Sequence, residues 1–411
     1  MPRIPHFLPS TRAPLFSNTR DWPPDAQLNV AIQGLPPVDV GITGMALCGG
    51  MAFLTRDIFD AGAPQLRSRN SPRIPAALAE HIFARLLVSF SGPGVVDRWI
   101  NATRALDHDT ALLGPGLYHQ SVNECPTIVD EVDAGNLCPI GIVLTQSWAP
   151  WAVFDNHVVL VYGYEWSGEV LGLQVYDPNH PGLDSIEIVI DTSNPTQSKT
   201  ISTNGTSNPD AQDTIRGFFA LPYYFADPAP AYIDDAILNV VGPVPVKLAP
   251  GERAEVVVHA TNRGSTSWSP LSYRLGSVRD GATWGLARVA LSQPTDPDHV
   301  AAFVFNITAP GVRGRYRFEW GMVHEPRGGF GTATARVDIA VGLNDPACAL
   351  LAVEESRLAH ELAAVRLAMD ALDPHDPLSR AEMKELARYA LDLSEAIRRN
   401  EQQQKVNGCV P

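Results

Sequence analysis

The hydrophobic positions of this chain follow a helical period first and a strand period afterwards. Three early segments repeat apolar residues on one helical face, with proline near the start or glycine after the end: 49–61, 75–87 and 93–105. Four later segments are short, apolar and β-branched or aromatic, which is typical of strands: 140–145, 158–164, 170–176 and 186–190. Helices followed by antiparallel strands predict an α+β domain. We place it at residues 27–226, after an N-terminal extension at 1–26.

The pattern changes twice more along the chain. Residues 191–212 are polar and predict an exposed loop, and 227–232 read as a linker. Residues 233–343 alternate apolar and polar positions between glycine and proline turns, which predicts an all-β immunoglobulin-like sandwich. From 344 to 411, Leu351, Leu358, Val365 and Leu372 recur every seven residues, and a second apolar stripe follows the 373–377 break. This predicts a C-terminal α-helical hairpin, and the chain is expected to be multidomain.

Composition narrows the classes of partner. The chain carries 31 Lys+Arg against 45 Asp+Glu, a net charge of −14. Nucleic-acid binding is disfavoured, because such proteins present a basic face. No stretch reaches the roughly 18 apolar residues of a membrane span, and the N-terminus lacks the apolar core of a secretory signal. We therefore expect a cytoplasmic location, or export by a non-standard route, and no cofactor or metal.

The five cysteines are too few for a disulfide scaffold. Two antiparallel helices of similar length would return the chain to its start, so a Cys348–Cys409 disulfide is geometrically possible. Cys125 and Cys138 flank a predicted helix at 128–134 and are expected to be buried thiols.

The first candidate catalytic residue is Cys48, which lies immediately before the predicted helix at 49–61. Unpaired N–H groups and the positive dipole end at a helix N-terminus favour a thiolate. The glycines after Cys48 would let a substrate backbone approach. His157 opens one predicted strand and Asp177 ends the next. Adjacent antiparallel strands would bring the two together, completing a nucleophile, base and orienting group.

These residues resemble the papain-like cysteine peptidases, most closely the C39-like branch. The corresponding segments are 48–50, 135–143, 156–159 and 176–179, within roughly 150 residues. The resemblance implies a hydrolase in which Cys48 is the nucleophile, His157 the general base and then acid, and Asp177 the orienting group. Asn179 is an alternative orienter, because papain itself uses an amide there.

One feature departs from the family, whose members carry a glutamine about six residues before the cysteine to bind the oxyanion. Here position 42 is Ile42, and the nearest upstream glutamine is Gln33, a weak oxyanion candidate. Two readings stay open: a hydrolase or acyl transferase acting on a peptide or protein substrate, or an inactive papain-like fold serving as a scaffold. Each residue alone also has a plain reading: a buried cysteine, a strand-end histidine and a turn at Asp177.

Residues 233–343 resemble the four-tryptophan domain, an immunoglobulin-like module. The matching residues include Trp268 and Trp320, Val258 replaces an expected tryptophan, and the placement of Trp284 is open. The resemblance implies binding of a protein partner, whereas the plain reading is that these tryptophans form the core. His180 and Asp184 near Asp177 match no defined metal-ligand spacing.

Overall fold

The computed structural model describes residues 2–18, 22–23, 46–68, 74–205, 213–279, 281–342, 346–372 and 377–406. The chain divides into two compact units, 1–233 and 234–411. The N-terminal extension therefore belongs to the first unit, and the sandwich and the hairpin share the second. The finer division into three domains stays a prediction.

The helices of the first unit precede most of its strands, as the pattern predicts. They are α1 (Pro9–Arg12), α2 (Cys48–Asp60), α3 (Ala76–Ser89), α4 (Val95–Arg104) and α5 (Leu117–Asp133). Helix α5 is longer than the predicted 128–134 segment, so Cys125 lies inside the helix rather than beside it. The first half of α5 is mostly polar, so the apolar pattern does not predict it as a helix. Leu117, Tyr118 and Ser121 in that half are nevertheless buried in the core.

Seven strands of the described first unit form one antiparallel sheet in the order β6-β5-β4-β3-β2-β1-β7. They are β1 (Cys138–Val143), β2 (His157–Ser167), β3 (Val170–Tyr176), β4 (Glu187–Asp191), β5 (Ile201–Thr203), β6 (Asp213–Ile215) and β7 (Gly217–Ala220). A 3-10 helix, Pro150–Asp155, connects β1 to β2. The expected loop at 191–212 contains β5, a strand whose polar sequence gives little apolar signal. Residues 206–212 of that loop lie outside the described ones.

Helix α2 is buried between α3 and the sheet, and its glycines explain how closely it packs. A side chain at Gly50 would begin 2.0 Å from the carbonyl oxygen of Ile82 on α3, and one at Gly49 would meet the Ser89 hydroxyl at 2.6 Å. Both distances are shorter than any real contact. The expectation that these glycines admit a substrate backbone is therefore replaced by a packing role: they let α3 lie directly against α2.

The second unit begins with strands that enclose one apolar core. Among its described residues, three sheets have the orders β13-β10-β8, β12-β11-β15-β16 and β14-β17-β9. The strands are β8 (Ala236–Val241), β9 (Lys247–Leu248), β10 (Arg253–Asn262), β11 (Tyr273–Ser277), β12 (Arg288–Ala290), β13 (Val300–Thr308), β14 (Gly314–Phe318), β15 (Trp320–His324), β16 (Gly328–Phe330) and β17 (Val337–Val341). Strand β13 buries every second residue, so one face of its sheet lies on the core.

The tryptophans of the sandwich belong to that core. Trp268, Trp284 and Trp320 are buried, and Val258 is buried with them. Trp284 also donates its indole N–H to the carbonyl oxygen of Arg317 at 2.8 Å. This placement agrees with the packing interpretation, because a buried indole offers no surface to a partner.

The chain ends in two long helices, α6 (Pro346–Asp370) and α7 (Pro377–Val406). Leu358, Leu362, Val365 and Leu393 form a small apolar cluster between them. Cys348 is disulfide-bonded, whereas Cys48, Cys125 and Cys138 are free. Cys409 lies outside the described residues. None of the helices within the described ranges is long and apolar enough to cross a membrane.

Candidate functional site

Strands β2 and β3 bring His157 and Asp177 together. They pair antiparallel, with Leu160 opposite Tyr176, so the start of β2 lies beside the end of β3. His157 Nε2 lies 2.7 Å from Asp177 Oδ1, and the two side chains are 11% and 7% exposed. The Asn179 N–H donates to the same Asp177 oxygen at 2.8 Å. The turn that Asp, Pro and Asn favour thus holds the carboxylate against the imidazole.

Cys48 approaches the imidazole from the opposite element. It is the first residue of α2, which packs against β2, and its side chain lies close enough to His157 to raise the pKa of the imidazole. Because Nε2 of His157 is engaged by Asp177, Nδ1 is the ring nitrogen left for the thiol. Cys48 is 7% exposed. The structure therefore places thiol, imidazole and carboxylate in one series, with an observed hydrogen bond between the imidazole and the carboxylate.

The electrostatics of the pair favour the charged forms of both partners. Burial alone would lower the pKa of His157, but the charges of Asp177 and Cys48 and hydrogen bonds to both raise it well above its usual value. Burial alone would raise the pKa of Asp177, but His157, the Asn179 N–H and His180 hold it below its usual value. An imidazole between a carboxylate and a cysteine side chain is the arrangement that activates cysteine nucleophiles.

Asn179, the alternative orienter, contacts the imidazole less closely than Asp177 does. Its Nδ2 lies 3.4 Å from His157 Nε2, whereas the Asp177 oxygen is 2.7 Å away. The side-chain oxygen of Asn179 accepts a hydrogen bond from Asn18 Nδ2 at 3.0 Å. Asp177 is therefore the direct partner of the imidazole, and Asn179 lies beside the pair.

A cleft of about 560 Å³ opens next to this series. Its polar lining includes Asn18, Asp155, Asn156, His157 and Asp177. The rest is largely aliphatic or aromatic and comes from the sheet and from the connection before β2: Ile142, Leu144, Phe154, Val159, Val175, Ile186, Ile188 and Ile215. None of the described lining residues is lysine or arginine, and of the two acidic ones Asp177 is paired with His157 while Asp155 is exposed.

The other expected site residues are placed differently. Gln33, the weak oxyanion candidate, lies outside the described residues. Burial raises the pKa of Cys125 and of Cys138 to about 12, so both thiols stay protonated at neutral pH. Asp184 accepts hydrogen bonds from the N–H and the hydroxyl of Ser10, at 2.8 and 2.7 Å. Within the described ranges, no three or more His, Cys, Asp or Glu side chains are grouped so as to hold a metal ion.

Two asparagines at the cleft are absent from the sequence prediction. Asn156 accepts from the Leu144 N–H at 2.9 Å and donates to the Thr103 hydroxyl at 2.9 Å, which fixes the strand end beside His157. Its position directly before His157 in the sequence is a weak indication that Asn156 lies at the site. Asn18 comes from the N-terminal segment, and nothing in its local sequence points to the cleft.

Comparison with known proteins identifies no family for the chain. No family model matches it, and no curated protein gives a significant match. A solution NMR structure of a CARDB domain from Pyrococcus furiosus is 19% identical, covering 27% of this chain and 97% of that domain with a TM-score of 0.20. A crystal structure of a CARDB domain from the same organism, in complex with di-metal ions, is 20% identical, covering 26% of this chain and 88% of that domain with a TM-score of 0.18. Each likeness concerns about a quarter of the chain.

Proposed function

We propose that the first unit is a papain-like cysteine hydrolase that cleaves an amide or peptide bond, or transfers the acyl group to an amine. The observation that carries the proposal is the series of Cys48, His157 and Asp177 beside an open cleft, in which His157 and Asp177 are hydrogen-bonded. A nucleophile, a base and an orienting group next to one another are typical of covalent acyl transfer.

In the proposed reaction, His157 takes the thiol proton and Cys48 attacks the carbonyl carbon. The new C–S bond gives a tetrahedral oxyanion, and the C–N bond then breaks as His157 returns the proton to the departing amine. Water, deprotonated by His157, attacks the resulting thioester and releases the acid and the Cys48 thiol. An amine in place of water would give transfer instead. Asp177 keeps its charge throughout and holds the ring in place.

The N-terminus of α2 supports the oxyanion step. Cys48 is the first helical residue, and the first N–H groups of a helix have no partner within it. We assign the Cys48 N–H as one oxyanion donor. Loss of one such donor costs about 10²–10³ in rate in a well-studied protease, so a chain that relied on this donor alone would be a slow enzyme.

The lining of the cleft supports a substrate class. Leu144 and Phe154 line the cleft with accessible apolar surface, and Asp155, which also lines it, is exposed. Burial of an apolar side chain there is favourable by about 25 cal/mol per Å², whereas the exposed carboxylate of Asp155 disfavours an anionic group beside it. We expect neutral or basic peptides with a bulky apolar residue next to the cleaved bond.

The test is hydrolysis of coumarin amides of short peptides that carry Leu, Lys or Asp before the amide. We expect cleavage of the Leu substrate, a weaker reaction with Lys and the weakest with Asp. Cys48→Ala should reduce the rate by about 10⁴-fold or more, because the nucleophile is removed. A hydroxamate formed when hydroxylamine is added would indicate acyl transfer.

Cys125→Ala is the matched control, because Cys125 is a buried thiol bonded to its own helix through the Ser121 carbonyl. Its rate should equal that of the wild type. Hydrolysis that survives Cys48→Ala, or that falls equally in both variants, would contradict the proposed nucleophile.

A second candidate function rests on the burial of Cys48. The residue is 7% exposed and is not among the residues that line the cleft. An inactive fold that serves as a scaffold would share these features. Wild-type protein whose Cys48 resists iodoacetamide at every pH, and which cleaves none of the amides, would favour this scaffold.

A further inference from the structure

The N-terminal segment runs along the first unit and ends at the candidate site. The Ile4 N–H donates to the Tyr162 carbonyl at 2.9 Å, and the Tyr164 N–H donates to the Pro2 carbonyl at 3.0 Å, so the segment is bonded to β2. Phe7 and Phe16 are buried in the core of the unit. These contacts make residues 2–18 an integral part of the unit, and they fix where its last described residue, Asn18, lies.

Asn18 joins the two parts of the candidate site. Its backbone N–H donates to the Pro178 carbonyl at 2.7 Å, and its side-chain Nδ2 donates to Asn179 Oδ1 at 3.0 Å. On the other side, the Leu47 N–H donates to Asn18 Oδ1 at 2.8 Å. One side chain thus bonds the residue before Cys48 to the turn after Asp177.

The donor and the acceptor in each of these side-chain hydrogen bonds follow from the backbone N–H of Leu47. A backbone N–H only donates, so Asn18 must turn its oxygen to Leu47 and its Nδ2 to Asn179. Asn179 must then offer its oxygen to Asn18, which leaves its own Nδ2 toward His157, at 3.4 Å. The orientation of the Asn179 amide is therefore set from α2 through Asn18.

Leu47 precedes the first residue of α2 and has no side chain that could cap the helix. In many helices a glutamate or glutamine within the first turn binds the N–H of the capping residue. Here Asn18 does so from outside the helix, so the start of α2 is held by the turn that carries Asp177.

We propose that Asn18 is a positioning residue, which holds the start of α2 and the 177–179 turn at a fixed separation so that Cys48 and His157 stay next to each other. The inference rests on the proposed function of the site. It predicts that Asn18 affects the reactivity of Cys48 more than it affects the stability of the fold.

The experiment measures the rate of Cys48 alkylation by iodoacetamide between pH 5 and pH 9, together with kcat and KM for the best amide and the melting temperature. Asn18→Ala removes both side-chain bonds. Asn18→Asp still accepts from Leu47 but cannot donate to Asn179, and it serves if the alanine variant does not fold. We expect alkylation at pH 6 and kcat to fall on the order of tenfold to a hundredfold, with KM nearly unchanged, since small misplacements of reacting groups have such costs.

Ser10→Ala is the matched control. Ser10 belongs to the same N-terminal segment, and its hydroxyl binds Asp184 in the same connection between β3 and β4. It should lower the melting temperature by a similar amount without changing the pH profile. Equal changes of the profile in the Ser10 and Asn18 variants, or none in either, would overturn the positioning role.

The His157→Ala variant separates this inference from the proposed function. If His157→Ala suppresses Cys48 alkylation at pH 6 while the Asn18 variants behave like Ser10→Ala, only the positioning role is wrong. If His157→Ala leaves alkylation unchanged, thiol and imidazole do not act together, and both proposals are wrong.

Discussion

Each unit of the molecule contains a mostly buried histidine bonded to an aspartate, and these two pairs have nearly the same separation; the first unit also has a more exposed pair, His119 and Asp109. His157 Nε2 lies 2.7 Å from Asp177 in the first unit, and His324 Nδ1 lies 2.6 Å from Asp234 in the second. Both pairs are mostly buried. They differ in the third group: the side chain of Cys48 lies near His157 and raises its pKa, whereas His324 stacks on the ring of Tyr273 at 4.1 Å.

The difference in the third group changes what each pair can do. The Tyr273 hydroxyl donates to Asp234 at 2.6 Å, so carboxylate, imidazole and phenol bind one another and leave no nucleophile free. The free cysteines among the described residues all belong to the first unit. A His–Asp pair is thus a structural element in one unit and a candidate catalytic element in the other, because only His157 faces a thiol at a helix start.

The largest expected effect comes from removing each imidazole in turn. His157→Ala should lower amide hydrolysis by about 10²–10⁴-fold, the usual contribution of a general base. His324→Ala should leave the rate unchanged while it destabilises the second unit. Rates of coumarin release and alkylation of Cys48 at pH 6 measure both variants.

Two outcomes would contradict the comparison. If His324→Ala reduces hydrolysis as much as His157→Ala does, the second pair is not merely structural. If neither variant changes the rate, the series at Cys48 has no catalytic role.

The second-largest expected effect is the pH dependence of the stability that the His157–Asp177 pair gives to its strands. Because the pKa of Asp177 is lowered in the folded state, its stabilisation is present above about pH 3.9, its unfolded pKa, and is lost as pH falls through the lower folded value. Because the pKa of His157 is raised, its stabilisation is present below about pH 6.5 and is lost as pH rises through the folded value. The pair should therefore stabilise β2 and β3 most between those two values.

Hydrogen exchange of peptides from β2 and β3 measures this stabilisation. Compared with wild type at the same pH, Asp177→Asn should lose about 3 kcal/mol of protection at pH 5.5, because a buried pair is broken, and less at pH 10. Asp234→Asn is the control and should leave these two strands unchanged. A loss for Asp177→Asn that is as large at pH 10 as at pH 5.5 would show that the ionic form of the pair is not what stabilises the strands.

The smallest effect tests the structural role of the second pair. Tyr273→Phe removes the hydroxyl bonded to Asp234 but keeps the ring between His324, Trp268 and Phe330. We expect a loss of about 1 kcal/mol in the free energy of unfolding, the usual net value of one hydrogen bond. Denaturant unfolding followed by tryptophan fluorescence measures it, and amide hydrolysis should not change.

Tyr316→Phe gives a comparison within the same unit, because its hydroxyl donates to a backbone carbonyl, that of Val312, at an exposed position. It should cost less than Tyr273→Phe. An equal cost would mean that the Asp234 cluster contributes nothing beyond an ordinary surface hydrogen bond.

Much of the fold follows from local pattern. The strand at 170–176 was predicted with the bounds that β3 has, because a buried strand between two turns is a strong apolar signal. The pattern predicts less than half of helix α5 and does not predict β5. Both contain many polar residues, so contacts with neighbouring elements stabilise them and no apolar period marks them in the sequence. The glycines after Cys48 were assigned to substrate, whereas the contact with α3 explains them.

The sequence by itself determined the order of elements, the residue types at the candidate site and the strand ends that carry His157 and Asp177. Only the tertiary structure decided that the glycines after Cys48 pack against α3, and that Asn18 connects α2 to the turn after Asp177. The physical reason is the separation along the sequence over which each kind of interaction acts. Period and turn chemistry act over a few residues, but the contacts that make a site join residues 29 and 161 positions apart, and those distances are closed only when the core forms.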